Sequence, residues 1–220
     1  MNRPAVSRRF VMTAVVILAA LPATASVINF DDIDASGGFV ILDTLSPYHG
    51  FDWTNFSVYT TNFLPGFDNG IVSSPNAAST AGDSGGSPII STISSTSAFD
   101  FVSAYLGAGW YDGLDVTVEG FNGPTEDFSK TVTVDTEGAQ LFTFNFDDID
   151  KLEIFSTVTG STTDPYGCGP SGCSQVTLDN LTFTPASGPP PSVPEPSMVG
   201  IAGLGFLALA AFHRAGARRS

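Results

Sequence analysis

Between residues 27 and 184 the apolar side chains recur at every second position rather than every third or fourth. In "LDVTVEG" Leu114, Val116 and Val118 alternate with Asp115, Thr117 and Glu119, and in "FTFNF" Phe142, Phe144 and Phe146 alternate with Thr143 and Asn145. A period of two describes a strand with one buried and one wet face, and it leaves no amphipathic helix to build a core from. Similar short runs lie at Val27 to Phe30, Phe39 to Leu42, Asp52 to Tyr59, Ile89 to Ile93, Phe99 to Leu106, Thr131 to Val134, Leu152 to Phe155 and Gln175 to Phe183. Gly, Asn, Asp, Pro and Ser fill the gaps between them. Strands at this spacing, with Phe as the large core residue, predict an all-β fold: an antiparallel two-sheet sandwich of jelly-roll type over residues 27–184.

The charge is as one-sided as the periodicity. Residues 27–192 hold 21 of the 22 acidic residues but only Lys130 and Lys151 of the eight basic ones, a net charge of −19. Such a surface repels phosphate backbones and anionic lipid headgroups, which excludes nucleic acid as a partner, and it concentrates divalent cations. It also keeps a β-protein outside the cell from associating.

Both ends of the 220-residue chain depart from this pattern. Arg3, Arg8 and Arg9 precede an apolar stretch from Phe10 to Leu21, then Pro22 and the small residues Ala23, Thr24, Ala25 and Ser26. That is the layout of an export signal over residues 1–26, cut after Ala25 or Ser26. "SRRFVM" also fits a twin-arginine signal, so the translocon used is left open between the two export routes.

At the other end "PASGPPPSVPEP" carries six prolines in twelve residues, a semi-rigid linker over residues 185–192 that runs into the next motif. Met198 to Phe212 then forms an uncharged apolar stretch of fifteen residues. As a helix it covers about 22 Å of a roughly 30 Å hydrocarbon core. Arg214, Arg218 and Arg219 follow it and would stay cytoplasmic, leaving everything before them outside.

"VPEPS" with the motif Pro194, Glu195 and Pro196, a short Gly/Ala/Leu-rich helix and terminal arginines together resemble the PEP-CTERM sorting signal of Gram-negative bacteria over residues 193–220. The resemblance implies an exosortase as processing partner. It also implies transient anchoring in the inner membrane, then release to the cell surface or the exopolysaccharide matrix.

The central region, through "INFDD", "FDFVSAYLGAGWYDGLDVTVEGF" and "VTLDNLTF", resembles domains that precede such tails and jelly-roll carbohydrate-binding modules. In many such modules acidic groups on the first and last strands hold one structural calcium ion. Carried over, that implies calcium at Asp31 or Asp32 together with Asp179, completed by backbone carbonyls, and extracellular polysaccharide as the ligand.

One motif points elsewhere. Gly82 to Gly86 in "AGDSGGSP" is the pentapeptide around the nucleophilic serine of chymotrypsin-like proteases. That chemistry needs a histidine base and an orienting aspartate. The domain's single histidine, His49, lies in "SPYHGFDW", only 35 residues before Ser84, and no cysteine flanks it. The stretch is therefore a loop, and the chain is not expected to be an enzyme.

A binding module needs aromatic platforms instead, and Trp53, Tyr59, Tyr105, Trp110 and Tyr111 are the candidates. Trp110 and Tyr111 stand out, because adjacent residues on an extended backbone face opposite sides. The alternative function is a secreted polysaccharide hydrolase on the same scaffold. Finally, Cys168 and Cys173 in "YGCGPSGC" are spaced to form a local disulfide staple across a turn.

Overall fold

In the computed structural model, which describes residues 24–186 apart from Gly85, Gly160, Pro170 and Ser171, the alternating runs form antiparallel strands. Most of the export signal and of the linker, and all of the sorting tail read from the sequence, lie outside the described residues. In chain order the strands are β1 Ser26–Ile28, β2 Val40–Ile41, β3 Asp52–Thr54, β4 Phe56–Thr60, β5 Asn76–Thr80, β6 Asp83–Ser84 and β7 Ser87–Pro88. They continue as β8 Ser91–Ala108, β9 Leu114–Asn122, β10 Thr125–Val134, β11 Gln140–Thr157 and β12 Val176–Pro185. A 3₁₀ turn at Leu42–Leu45 and a single-turn helix α1 at Pro65–Asp68 are the helical pieces among the described residues.

Two 18-residue strands, β8 and β11, organise the sandwich. The start of β8 pairs with β3 and with the end of β11, whose other edge carries β9 and then β10. The end of β8 pairs with the start of β11 and with β12. The other edge of β12 carries β1 and β5, followed by β4 and β2. One pair of long strands thus belongs to both sheets.

The crossover is marked by breaks in register between Thr143 and Lys151. There Asn145 (φ 53°) and Asp148 (φ 56°) adopt the left-handed conformation that short polar side chains tolerate best. Bulges of this kind bend a strand and let it pass from one layer to the next.

The core lies between the layers. Val116, Val118, Leu152 and Ile154 from one side meet Phe101, Leu106, Leu178 and Phe183 from the other in one contiguous buried cluster. On β3, Trp53 meets Phe30 edge-on at 5.6 Å, Phe56 at 5.2 Å and the Tyr48 ring at 6.1 Å, and its indole Nε1–H donates to the Tyr48 carbonyl at 3.0 Å.

Five of the expected runs differ in extent. The run Asp52 to Tyr59 is split by Asn55 (φ 64°), where the Asp43 carboxylate accepts the N–H groups of Asn55 (2.8 Å) and Phe56 (3.1 Å). The run 89–93 from Ser91 on and the run 99–106 are parts of β8, and those at 142–146 and 152–155 are parts of β11.

Trp53→Ala leaves a cavity under three aromatic rings and an unpaired Tyr48 carbonyl. We expect urea unfolding to report a loss of about 3–5 kcal/mol.

Candidate functional site

Phe39 sits just before the edge strand β2, and Phe63 follows the end of β4. Asn62 (φ 72°) turns the chain after β4, Asp68 Oδ1 accepts the Phe63 N–H at 3.1 Å, and Pro65 opens α1. These contacts hold Phe63 against Phe39, ring centroids 4.7 Å apart and planes at 85°. Beneath them Tyr59 and Phe67 cross perpendicular at 5.2 Å, and the Tyr59 hydroxyl donates to the Phe67 carbonyl at 2.9 Å.

The floor is dry and fixed, while Phe39 and Phe63 remain 47% and 45% exposed. With Ser36, Thr60, Thr61 and Asn62 they line a cleft of about 200 Å³. Aromatic faces beside hydroxyl and amide groups are suited to ligands with one apolar face and a polar rim.

Neither Phe39 nor Phe63 was singled out from the sequence. Trp110 and Tyr111 were, and the structure corrects that choice. Tyr111 is buried, with its hydroxyl donating to the Gly169 carbonyl, so it offers no stacking face. Trp110 is half-buried and meets Phe67 edge-on at 6.0 Å. Trp53 and Tyr59 belong to the core.

The acidic residues of the first and last strands are pinned by donors of the chain itself. Asp179 is fully buried: Oδ2 accepts the N–H groups of Val72 (2.7 Å) and Ser73 (2.8 Å), and Oδ1 accepts that of Asn180 (2.7 Å). The Ser73 hydroxyl lies within 3.2 and 3.3 Å of the two oxygens. Asp31 accepts the Asn76 N–H (3.2 Å) and the Asn29 amide (2.7 Å). Asp32 accepts the Tyr48 hydroxyl (2.5 Å) and lies 3.4 Å from His49 Nε2.

A calcium ion needs six to eight oxygens turned towards it. Here the Asp179 oxygens face the positive ends of N–H dipoles. Among the described residues no three His, Cys, Asp or Glu are grouped to hold an ion. With both oxygens engaged by the chain itself, Asp179 does not fit the calcium shell that the resemblance implies, whether with Asp31 or with Asp32.

The "GDSGG" loop meets the disulfide. Cys168 and Cys173 are bonded, their Cα atoms 6.1 Å apart, and Asp83 Oδ1 accepts the N–H groups of Gly172 (2.7 Å) and Cys173 (3.2 Å). Asp83 Oδ2 accepts the Gly86 N–H at 3.1 Å. Burial alone would raise the Asp83 carboxyl, but the N–H groups of Gly172, Gly86 and Cys173 hold it below the usual carboxylate range. The ionic partner of His49 is Asp32, and its ring packs edge-on to Tyr48 at 4.4 Å.

A carboxylate pair unnoticed in the sequence lies on β9 and β11, where Glu119 stands directly opposite Glu153. Lys151 Nζ contacts Glu153 at 2.7 Å and covers the Phe121 ring at 3.9 Å. Partial burial, with Glu126 and Glu153 nearby, pushes the Glu119 carboxyl up.

Two measurements follow from the acidic groups. Burial pushes the Asp179 carboxyl up to about 6, against the pull of the Ser73, Val72 and Asn180 N–H groups. Between the ordinary value of 3.8 and about 6 the folded state holds a proton that the unfolded state has released. Stability from this group is thus complete below pH 4 and falls as pH rises to 6, by about 2–3 kcal/mol. Asp179→Asn, uncharged throughout, should flatten that part of the stability–pH curve, measured by denaturant unfolding from pH 4 to 7. Thermal unfolding in calcium, magnesium and sodium chloride matched for ionic strength separates screening from coordination: equal shifts are expected where the charge is only screened, and a larger shift in calcium marks a site.

Three solved structures share features of this fold. A DUF4465 family protein from Bacteroides caccae superposes with TM-score 0.47 at 12% identity, covering 73% of this chain and 98% of its own. The CBM22-1-CBM22-2 tandem domain of Xyn10C from Paenibacillus barcinonensis gives TM-score 0.42 at 12% identity, covering 80% of this chain and 49% of that one. TmCBM61, solved with β-1,4-galactotriose, gives TM-score 0.34 at 10% identity, covering 64% and 91%. No curated protein shows significant sequence similarity to the chain. Residues 192–215 match the PEP-CTERM protein-sorting motif, so the chain carries the tail that implies exosortase-sorted export.

Proposed function

We propose that this protein is exported through its N-terminal signal, processed by an exosortase at the PEP-CTERM tail and retained at the cell surface or in the matrix of a Gram-negative bacterium. There its β-sandwich domain binds extracellular polysaccharide without cleaving it. The observation that carries the binding reading is the Phe39–Phe63 cleft: two exposed rings on a rigid apolar floor, rimmed by Ser36, Thr60, Thr61 and Asn62. Sugar rings present C–H faces to aromatic rings and hydroxyls to the rim, so this combination suits them.

The hydrolase reading has one specific feature in its favour. Glycoside hydrolysis uses two carboxyl groups of different acidity facing one bond. Glu119, raised by burial, stands in register opposite Glu153 on the neighbouring strand.

A polysaccharide array probed with the exported, processed protein tests the binding reading. Retention on at least one polysaccharide is expected, weakened about tenfold in Phe63→Ala, the loss of one aromatic contact of about 1 kcal/mol or a little more. Release of reducing sugar, abolished by Glu119→Gln, would overturn the choice of a binder over a hydrolase.

A further inference from the structure

Resting on the polysaccharide-binding reading, we infer that the Phe39–Phe63 cleft takes a single uncharged sugar ring and rejects acidic polysaccharides. Size gives the first limit. Ordinary small-molecule pockets measure about 300–1,000 Å³. This cleft, at about 200 Å³, is smaller than that range and has room for one ring rather than a run of them.

The second limit is the direction of its hydrogen bonds. The Ser36 hydroxyl gives its proton to Asp34 Oδ1 at 2.6 Å, and the Thr60 hydroxyl gives its own to the Pro75 carbonyl at 3.1 Å. The Asn62 amide donates to Thr61 Oγ1 at 3.3 Å. Ser36 and Thr60 therefore turn lone pairs to the cleft. A sugar hydroxyl can donate to them and accept from the Thr61 hydroxyl, whereas a carboxylate or sulfate, which only accepts, finds acceptors at Ser36 and Thr60.

Charge gives the third limit. No charged side chain lines the cleft. The two lysines of the domain are engaged elsewhere, Lys130 with the Thr143 carbonyl at 2.7 Å and Lys151 with Glu153. The surrounding net charge of −19 over residues 27–192 repels polyanions at long range.

Isothermal titration of the exported, processed protein with neutral galactan, xylan and glucan oligosaccharides, and with oligogalacturonate and alginate, tests the inference. At least one neutral series should bind, with dissociation constants for disaccharide and hexasaccharide equal within about twofold. The matching free monosaccharide should compete fully. Phe63→Ala should weaken binding about tenfold. Thr61→Val, which keeps the shape and removes a hydroxyl, should weaken it less. Thr61→Val should keep the unfolding midpoint within the range of a surface substitution, since Thr61 is exposed, and the circular dichroism spectrum should show Phe63→Ala folded.

Equal affinity for oligogalacturonate or alginate would overturn the inference, as would affinity that climbs tenfold or more with added residues. Either result would still leave a polysaccharide-binding protein. Failure to bind any polysaccharide removes the function and this inference with it.

Discussion

The buried side chain of Asn76 ties the ends of the domain together. Its carboxamide donates to the carbonyls of Phe30 (3.0 Å) and Ile33 (2.7 Å), while its backbone N–H is taken by Asp31. Phe30 is fully buried at φ 62°, a conformation a bulky residue adopts only when its surroundings insist. Here the insistence comes from Asn76 on its carbonyl and Trp53 on its ring. Three residues upstream of Asn76, the N–H of Ser73 is held by Asp179 of β12. The segment 72–76 is thus stapled to the first strand at one end and to the last at the other. A buried polar group left without its partner costs about 1–3 kcal/mol, so the staples are effective only as a complete set.

How far the fold was legible follows from this arrangement. Period-two alternation marked β9 and β11 because each has one buried face, and the burial pattern of β9 strictly alternates from Leu114 to Gly120. β5 was missed because all five residues of "NAAST" are buried, so no alternation exists, and none is large. It lies between β4 and β12, where small side chains let neighbouring elements approach. The continuity of β8 and β11 was hidden for the opposite reason. Polar residues at 147, 148 and 150 look like a loop, and it is tertiary pairing that keeps them in the strand.

The site was less legible than the fold. Trp110 and Tyr111 were chosen on the premise of an extended backbone, but Trp110 lies in a bend and Tyr111 serves the disulfide loop. Phe39 opens the short run Phe39 to Leu42 and Phe63 stands outside any run, each next to a turn, after Gly38 and Asn62. A large aromatic beside turn residues, not opposed by another core residue in the pattern, was the available signal. The acidic residues misled in a related way. On a chain with two lysines, carboxylates find their partners among backbone N–H groups, as at Asp43, Asp83 and Asp179, and such carboxylates build turns and staples.

The protease-like pentapeptide shows how a fold can write a catalytic motif for structural reasons. A Cβ at Gly82 would lie 2.5 Å from the Gly172 carbonyl oxygen, so close approach to the disulfide loop requires glycine there. Asp83 caps that loop by accepting the Gly172 and Cys173 N–H groups, and Gly86 at φ 84° turns the chain from β6 into β7 while donating back to Asp83. Gly, Asp and Gly at the first, second and last places of the motif thus each have a packing or hydrogen-bonding cause. In a protease the same letters are accompanied by a histidine aimed at the serine. Here the histidine of the domain is paired with Asp32 instead, beside Tyr48. The partners of a motif carry its chemistry, and in this loop the partners of Asp83 are the backbone of a disulfide turn.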